Sequence, residues 1–178
     1  MRSWCLRWSV SWAFGAVVCA ALAADDPCAG FSWDVGRERA LFATTAEAVP
    51  AGRDVASAPW LVPDRLYELT VVPQEQVTFA SPPGRNTPVD GASAGLARLR
   101  VTTAGDFRVS LDQGFWVDVV AGHELVASTD FQGRPGCRAP HKIVLYSLPG
   151  GQDLVLQLSG AAGSHLRITI TAAAAPTR

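Results

Sequence analysis

The stretch GRPGCRAPHKIVLY, residues 133–146, sets Cys137 and His141 four residues apart, just ahead of an apolar run. Three chemistries fit that spacing. A thiolate beside an imidazole can act as nucleophile and base, the pair can supply two ligands to a metal, or the sulfur can sit in a disulfide with the histidine uninvolved. Arg138 and Lys142 would lower the pKa of a thiol here. Against that, Cys5 and Cys19 lie in the first 23 residues, and beyond them Cys28 and Cys137 are the only two cysteines. Two thiols in an exported chain are expected to pair, so a Cys28–Cys137 disulfide is the preferred reading.

Any metal chemistry rests on the three histidines, His123, His141 and His165. A ring-cleaving iron dioxygenase holds its metal with two histidines and one carboxylate on one face of the ion. His123, Glu124 and His141 are the candidate set. Adjacent residues on a strand point to opposite faces, which works against His123 and Glu124 serving together, and no His-x-His pattern is present. Two cysteines and scattered histidines also lack the paired spacing of a structural zinc site. No nucleophile elbow, glycine-rich phosphate loop or pair of catalytic carboxylates is evident, so no cofactor is expected, with iron as the alternative.

The remaining candidate is Asp118, in FWVDVV. Alternation puts Trp116, Asp118 and Val120 on one face and Phe115, Val117 and Val119 on the other. A carboxylate in that apolar setting needs a partner. Either Trp116 and Asp118 form a ligand-binding face, or Asp118 is held in a structural ion pair, with Lys142 as first choice and Arg108 as second. The structural pair is the preferred reading. Lys142 is the only lysine in the chain.

These residues need a framework. Arg2 and Arg7 precede an apolar stretch that ends on Ala21-Leu22-Ala23, which reads as a secretory signal peptide over 1–23. It is short for a membrane span, so no stable span is expected after cleavage and the location is periplasmic or secreted. Loss of Arg2 and Arg7 takes the basic count from 15 to 13, against 16 acidic residues. Without a basic patch, nucleic acid is an unsuited partner. Residues 24–171 then form one domain, followed by a flexible tail over 172–178.

Within that domain one helix is predicted over about 33–47, capped by Ser32 or Asp34, with Val35 and Phe42 inward and Arg37, Glu38 and Arg39 in solvent. From Leu66 onward the pattern alternates with period two. Strands are predicted at 67–72, 76–81, 97–103, 106–112, 114–122, 123–129, 141–148, 153–160 and 165–171, with a long Pro/Gly loop over 81–95. Leu99, Val101, Phe107, Val109, Leu111, Leu154, Leu156, Leu158, Leu166, Ile168 and Ile170 should form one core. Each strand should keep one buried and one wet face. The predicted fold is mostly β: an antiparallel β-sandwich, jelly-roll-like, with one N-terminal helix.

The succession GDFRVSL, WVDVV, SLPGGQDLVLQLSG and LRITIT, between Gly105 and Thr171, resembles the bacterial pre-peptidase C-terminal domain. That resemblance implies a secreted jelly-roll-like sandwich with an accessory, non-catalytic role. CAGFSWDVGRE, WVDVV and the Cys…HK segment also resemble a group of small exported bacterial proteins, some labelled homogentisate 1,2-dioxygenase. Taken together, the expected function is an exported, non-catalytic module that binds a small ligand or an envelope protein. The alternative is a non-haem iron dioxygenase of the homogentisate type.

Overall fold

The structure is a computed structural model and describes residues 26–85 and 90–173. The expected signal peptide, and residues 174–178 of the tail expected over 172–178, fall outside the described residues, while Ala172 ends the last strand. Helix α1 (Gly36–Phe42) is followed by β1 (Glu47–Pro50), β2 (Trp60–Leu61), β3 (Leu66–Thr70), β4 (Val72–Pro73), β5 (Ser93–Arg100), β6 (Gly105–Leu111) and β7 (Trp116–Ala121). Then come β8 (Glu124–Val126), β9 (Ser128–Gly133), β10 (Lys142–Leu148), β11 (Asp153–Ala161) and β12 (His165–Ala172).

The strands form two sheets. Sheet A runs β1-β3-β12-β6-β10-β9. Sheet B runs β2-β5-β11-β7-β8, with β4 also paired to β5. The set β3-β12-β6-β10 against β5-β11-β7-β8 is the strand order of an eight-stranded jelly roll. These central pairings are antiparallel. The outer strands depart from the prediction of a purely antiparallel sandwich, because β1 pairs parallel with β3 and β2 parallel with β5. Both come from residues 47–61, which run along the edge of one sheet and then the other. Leu61 and Val49 reach the core from these strands, but runs of two and four residues are too short to show a period-two pattern.

The period-two residues meet between the sheets. Leu99, Val101, Val109, Leu111, Leu154, Leu156, Leu158, Leu166, Ile168 and Ile170 lie in one buried cluster with Phe115, Tyr67 and Tyr146, and Phe107 packs partly buried at its margin. Register explains this. Leu154, Leu156 and Leu158 stand opposite Leu99, Ala97 and Gly95 on one side of β11 and Ala121, Val119 and Val117 on the other.

The wet outer faces expected from alternation are covered instead. On sheet A, Ser110, Thr169 and Thr171 are fully buried beneath the N-terminal segment and α1. The helix is shorter than predicted. Asp34 Oδ1 accepts the Gly36 N–H at 2.9 Å while Val35 occupies the cap position, and the chain leaves the helix after Phe42. Its orientation also corrects the reading: Glu38, expected in solvent, is 1% exposed and faces the sheet.

On sheet B, the predicted strand at 76–81 is not a strand. After a 3-10 turn over Gln74–Gln76, Val77, Phe79 and Ala80 pack on Ala58, Leu96, Val120 and Val155. The alternation there is real, but Val77 and Phe79 pack, partly buried, against the face of a sheet they do not join. The Thr78 N–H accordingly goes to Arg53 O, outside any ladder.

The Cys28–Cys137 disulfide is present, with its Cα atoms 4.8 Å apart and a sequence separation of 109. It ties the segment before α1 to the loop between β9 and β10. The Ser32 N–H to Gln132 Oε1 bond and the stack of Arg134 on Phe31 hold the same segment against β9.

Candidate functional site

Strand β7 presents the Asp118 cluster on the outer face of sheet B, as alternation requires. Asp118 is 7% exposed. Its Oδ1 accepts the Trp116 indole N–H at 2.9 Å and its Oδ2 accepts the Gly84 N–H at 3.0 Å. Gln157 stands opposite Asp118 on β11 and holds Ser81 through both amide atoms, at 3.0 and 3.1 Å. Asp118 and Gln157 thus form adjacent staples that fasten residues 81–84 over the sheet. Gly84 is required for the close approach, since a Cβ there would lie 2.8 Å from Asp118 Oδ1.

The expected Asp118–Lys142 pair gives way to this arrangement. The Lys142 ammonium donates to Phe115 O at 3.1 Å and lies 5.0 Å from the Trp116 ring centre, with the Arg85 guanidinium 5.7 Å from the same ring. Arg108, the second choice, belongs to sheet A and pairs with Glu38. The reason lies in the length of β8, which reaches only Val119–Ala121 of β7. The Phe115 and Val117 carbonyls lack a strand on that side. Lys142 and Tyr146 reach across from sheet A to supply donors, the Tyr146 hydroxyl at 2.8 Å from Val117 O.

Two predictions follow from this region. Asp118→Ala leaves two donors without their acceptor. It should lower stability by about 1–3 kcal/mol and speed tryptic cleavage after Arg85. Cleavage at the wild-type rate would mean that Asp118 does not hold the loop.

The second concerns Lys142. Burial pushes its pKa below the ordinary 10.5, helped by Arg85 and opposed by the Asp118 charge. A depressed folded pKa makes the favourable contribution full above 10.5 and lost as pH falls through the folded value. Lys142→Met keeps the stem against Trp116 and removes the charge. The stability of the variant relative to wild type should therefore fall as pH rises toward 10.5. Burial and the Asp118 charge also push the Tyr146 hydroxyl up, but that titration is common to both proteins and cancels in the difference. Urea unfolding from pH 7 upward measures it, and a difference independent of pH would contradict the account.

His123 and Glu124 are exposed at the β7–β8 turn. His141 is half-buried before β10, in a shallow cavity of about 350 Å³ with Asp112, Gln113, Gly136, Cys137 and Arg138. Among the described residues no three His, Cys, Asp or Glu side chains group so as to hold a metal ion. His123, Glu124 and His141 therefore do not fit a facial iron site. Cys137 is committed to Cys28, so it cannot act as a thiolate paired with His141.

A second arrangement, beneath the helix, was not legible in the sequence. Beneath α1, Glu38 Oε1 takes a 2.7 Å hydrogen bond from the Thr171 hydroxyl and lies 3.3 Å from Arg108 Nη1. Arg108 Nη1 also donates to Asp34 O at 2.7 Å, and the guanidinium lies 5.1 Å from the Trp33 ring centre. Among the described residues Glu38 Oε2 and Arg108 Nε, both buried, have no hydrogen-bond partner, and neither do the Ser110 and Thr169 hydroxyls one row along the sheet. A cavity of about 210 Å³ opens on the pair, lined by Asp34, Arg37, Glu38, Arg108, Ala172 and Ala173. Arg37 at its rim is anchored to Asp64 at 2.7 Å. The sequence signal that did exist was Arg108 and Ser110 alternating with core residues. Nothing local said that Glu38 would be laid over them.

The chain matches no family model, and no curated protein matches it.

Proposed function

We propose that this chain is an exported, non-catalytic β-sandwich module, periplasmic or secreted, that binds a small ligand in the cavity beneath α1. One observation carries the reading: among the described residues Glu38 Oε2 and Arg108 Nε, on two residues that line the cavity, are buried without partners. Leaving buried polar atoms unpaired costs about 1–3 kcal/mol each, and a ligand that displaces the atoms covering them and supplies one donor and one acceptor removes both penalties. The bonds that Oε1 and Nη1 already make hold the two groups in place, which reduces the ordering cost of binding.

Export is supported by the n-region, apolar run and small-residue cleavage pattern at the N-terminus, and by the Cys28–Cys137 bond, which persists in oxidising compartments. The resemblance to pre-peptidase C-terminal domains supports an accessory role. The cavity walls, Asp34, Arg37, the Glu38–Arg108 pair and two alanines, offer no activated nucleophile.

The test is a thermal-shift screen of the purified, oxidised chain against neutral, anionic and cationic small molecules, with chemical analysis of each hit after incubation. The expected result is a compound that raises the melting temperature and is recovered unchanged. Conversion of a stabilising compound would overturn the non-catalytic reading, and a screen in which no compound shifts the transition would overturn the binding one.

A further inference from the structure

We infer that the Cys28–Cys137 bridge is a site of thiol–disulfide exchange, opened through Cys28 by a dithiol partner of the oxidoreductase class, and that its opening frees α1 from sheet A. This bond chemistry is independent of whether a ligand fills the cavity beneath the helix.

Access is the first argument. Exchange requires a thiolate to reach one sulfur of the bridge. Cys137 is 1% exposed, whereas Cys28 is half-buried between the exposed residues Pro27 and Ala29. Of the two, Cys28 is the one open to an incoming protein thiol.

The departing sulfur is the second. The better leaving group is the sulfur whose negative charge is better met. The Ala139 N–H donates to Cys137 Sγ at 3.4 Å. Cys137 also lines the cavity of about 350 Å³ together with Arg138 and His141. Asp112 in the same wall is held by Arg167 at 3.2 Å, while among the described residues Arg138 and His141 have no ion-pair partner. At the other end, the Cys28 N–H is spent on Asp26 Oδ1 at 2.9 Å, and no donor meets Cys28 Sγ among the described residues. Access and leaving ability select the same direction: Cys28 is attacked and Cys137 leaves.

The steps balance with the partner's two thiols alone. Its first thiolate attacks Cys28 Sγ, a mixed disulfide forms, and the electron pair of the broken bond departs on Cys137. Its second thiolate then attacks the first, releasing Cys28. The partner is oxidised to its own disulfide, and the protons of its two thiols end on Cys28 and Cys137. An oxidised partner running the same path backward closes the bridge.

The bridge holds the segment that leads into α1. Once it opens, that segment keeps the Ser32–Gln132 hydrogen bonds, the Phe31–Arg134 stack and the contacts of Arg108 with Trp33 and Asp34 O. Each is small beside covalent closure of so long a loop. The helix has seven residues and is too short to persist without its packing.

The experiment offers the purified, oxidised chain a thioredoxin-type dithiol protein whose second active-site cysteine is replaced by serine, which traps the mixed disulfide. Free thiols are alkylated and the adduct is mapped by mass spectrometry. The adduct on Cys28, with Cys137 alkylated, should exceed the reverse by about an order of magnitude. Arg138→Glu, a change at an exposed side chain, should slow adduct formation by about fivefold, the reach of one exposed charge. An adduct mainly on Cys137, or a rate that Arg138→Glu leaves unchanged, overturns the direction of exchange. No adduct from the native chain, where the urea-unfolded chain gives one, overturns the exchange site itself.

A second measurement uses the unaltered dithiol protein and follows amide exchange in the reduced chain. Exchange should rise across Gly36–Phe42 while β11 stays protected. Unchanged protection of α1, or protection lost equally in β11, overturns the release of the helix.

Discussion

Replacing Glu38 with alanine is expected to destabilise the folded chain by about 3–5 kcal/mol, the usual cost of removing one member of a buried ion pair. The size follows from what remains. Arg108 has a side chain only 12% exposed, and Glu38 is its single ion-pair partner among the described residues. Without Glu38 the guanidinium keeps Asp34 O and the Trp33 ring, neither of which carries a negative charge. The Thr171 hydroxyl, fully buried, loses its acceptor as well.

Against a typical domain stability of about 5–15 kcal/mol this is a large fraction. The double variant Glu38→Leu with Arg108→Met should recover most of the loss, because well-packed apolar residues replace buried ion pairs at little cost. Urea unfolding of the single and double variants measures both. A single variant that loses less than about 1 kcal/mol would mean the pair is reached by solvent and contributes little.

The second large effect is the disulfide. Cys28→Ala with Cys137→Ala should cost about 4–5 kcal/mol in the chain-entropy description of a loop of 109 residues, with measured bridges in small secreted domains spanning about 2–5. The loss should also be local in character. The bond anchors the segment leading into α1, and that segment with the helix roofs Ser110, Thr169, Thr171 and the Glu38–Arg108 pair. Amide exchange should rise across Gly36–Phe42 and in the outer-face residues of β6 and β12 before it rises in β11, whose Leu154, Leu156 and Leu158 are fully buried. Exchange that rises uniformly, with α1 no faster than β11, would show that the bridge stabilises the whole domain and does not specifically hold the roof.

The sequence by itself determined the sandwich and its core. Period-two alternation in DLVLQLSG and HLRITIT is a direct consequence of strand geometry, so the inward residues could be named from spacing alone. The cysteine pairing was likewise decided by arithmetic, since Cys28 and Cys137 had no other candidates beyond residue 23. The burial of Asp118 could be read from its apolar neighbours, but its partners could not. They are Trp116, two residues away, and Gly84, brought in by a loop whose course depends on Gln157 holding Ser81.

What only the tertiary structure decided is which outer faces stay wet. Alternation says that Ser110, Thr169, Thr171 and Arg108 leave the core, and it is silent on whether another segment covers them. A helix of seven residues does so, and the segment leading into it is tied through Cys28 to Cys137, 109 positions further along the chain. That long-range closure turns Glu38 from a surface residue into the buried partner of Arg108. The candidate site is therefore made by the contact between two elements, and neither element's own pattern encodes it.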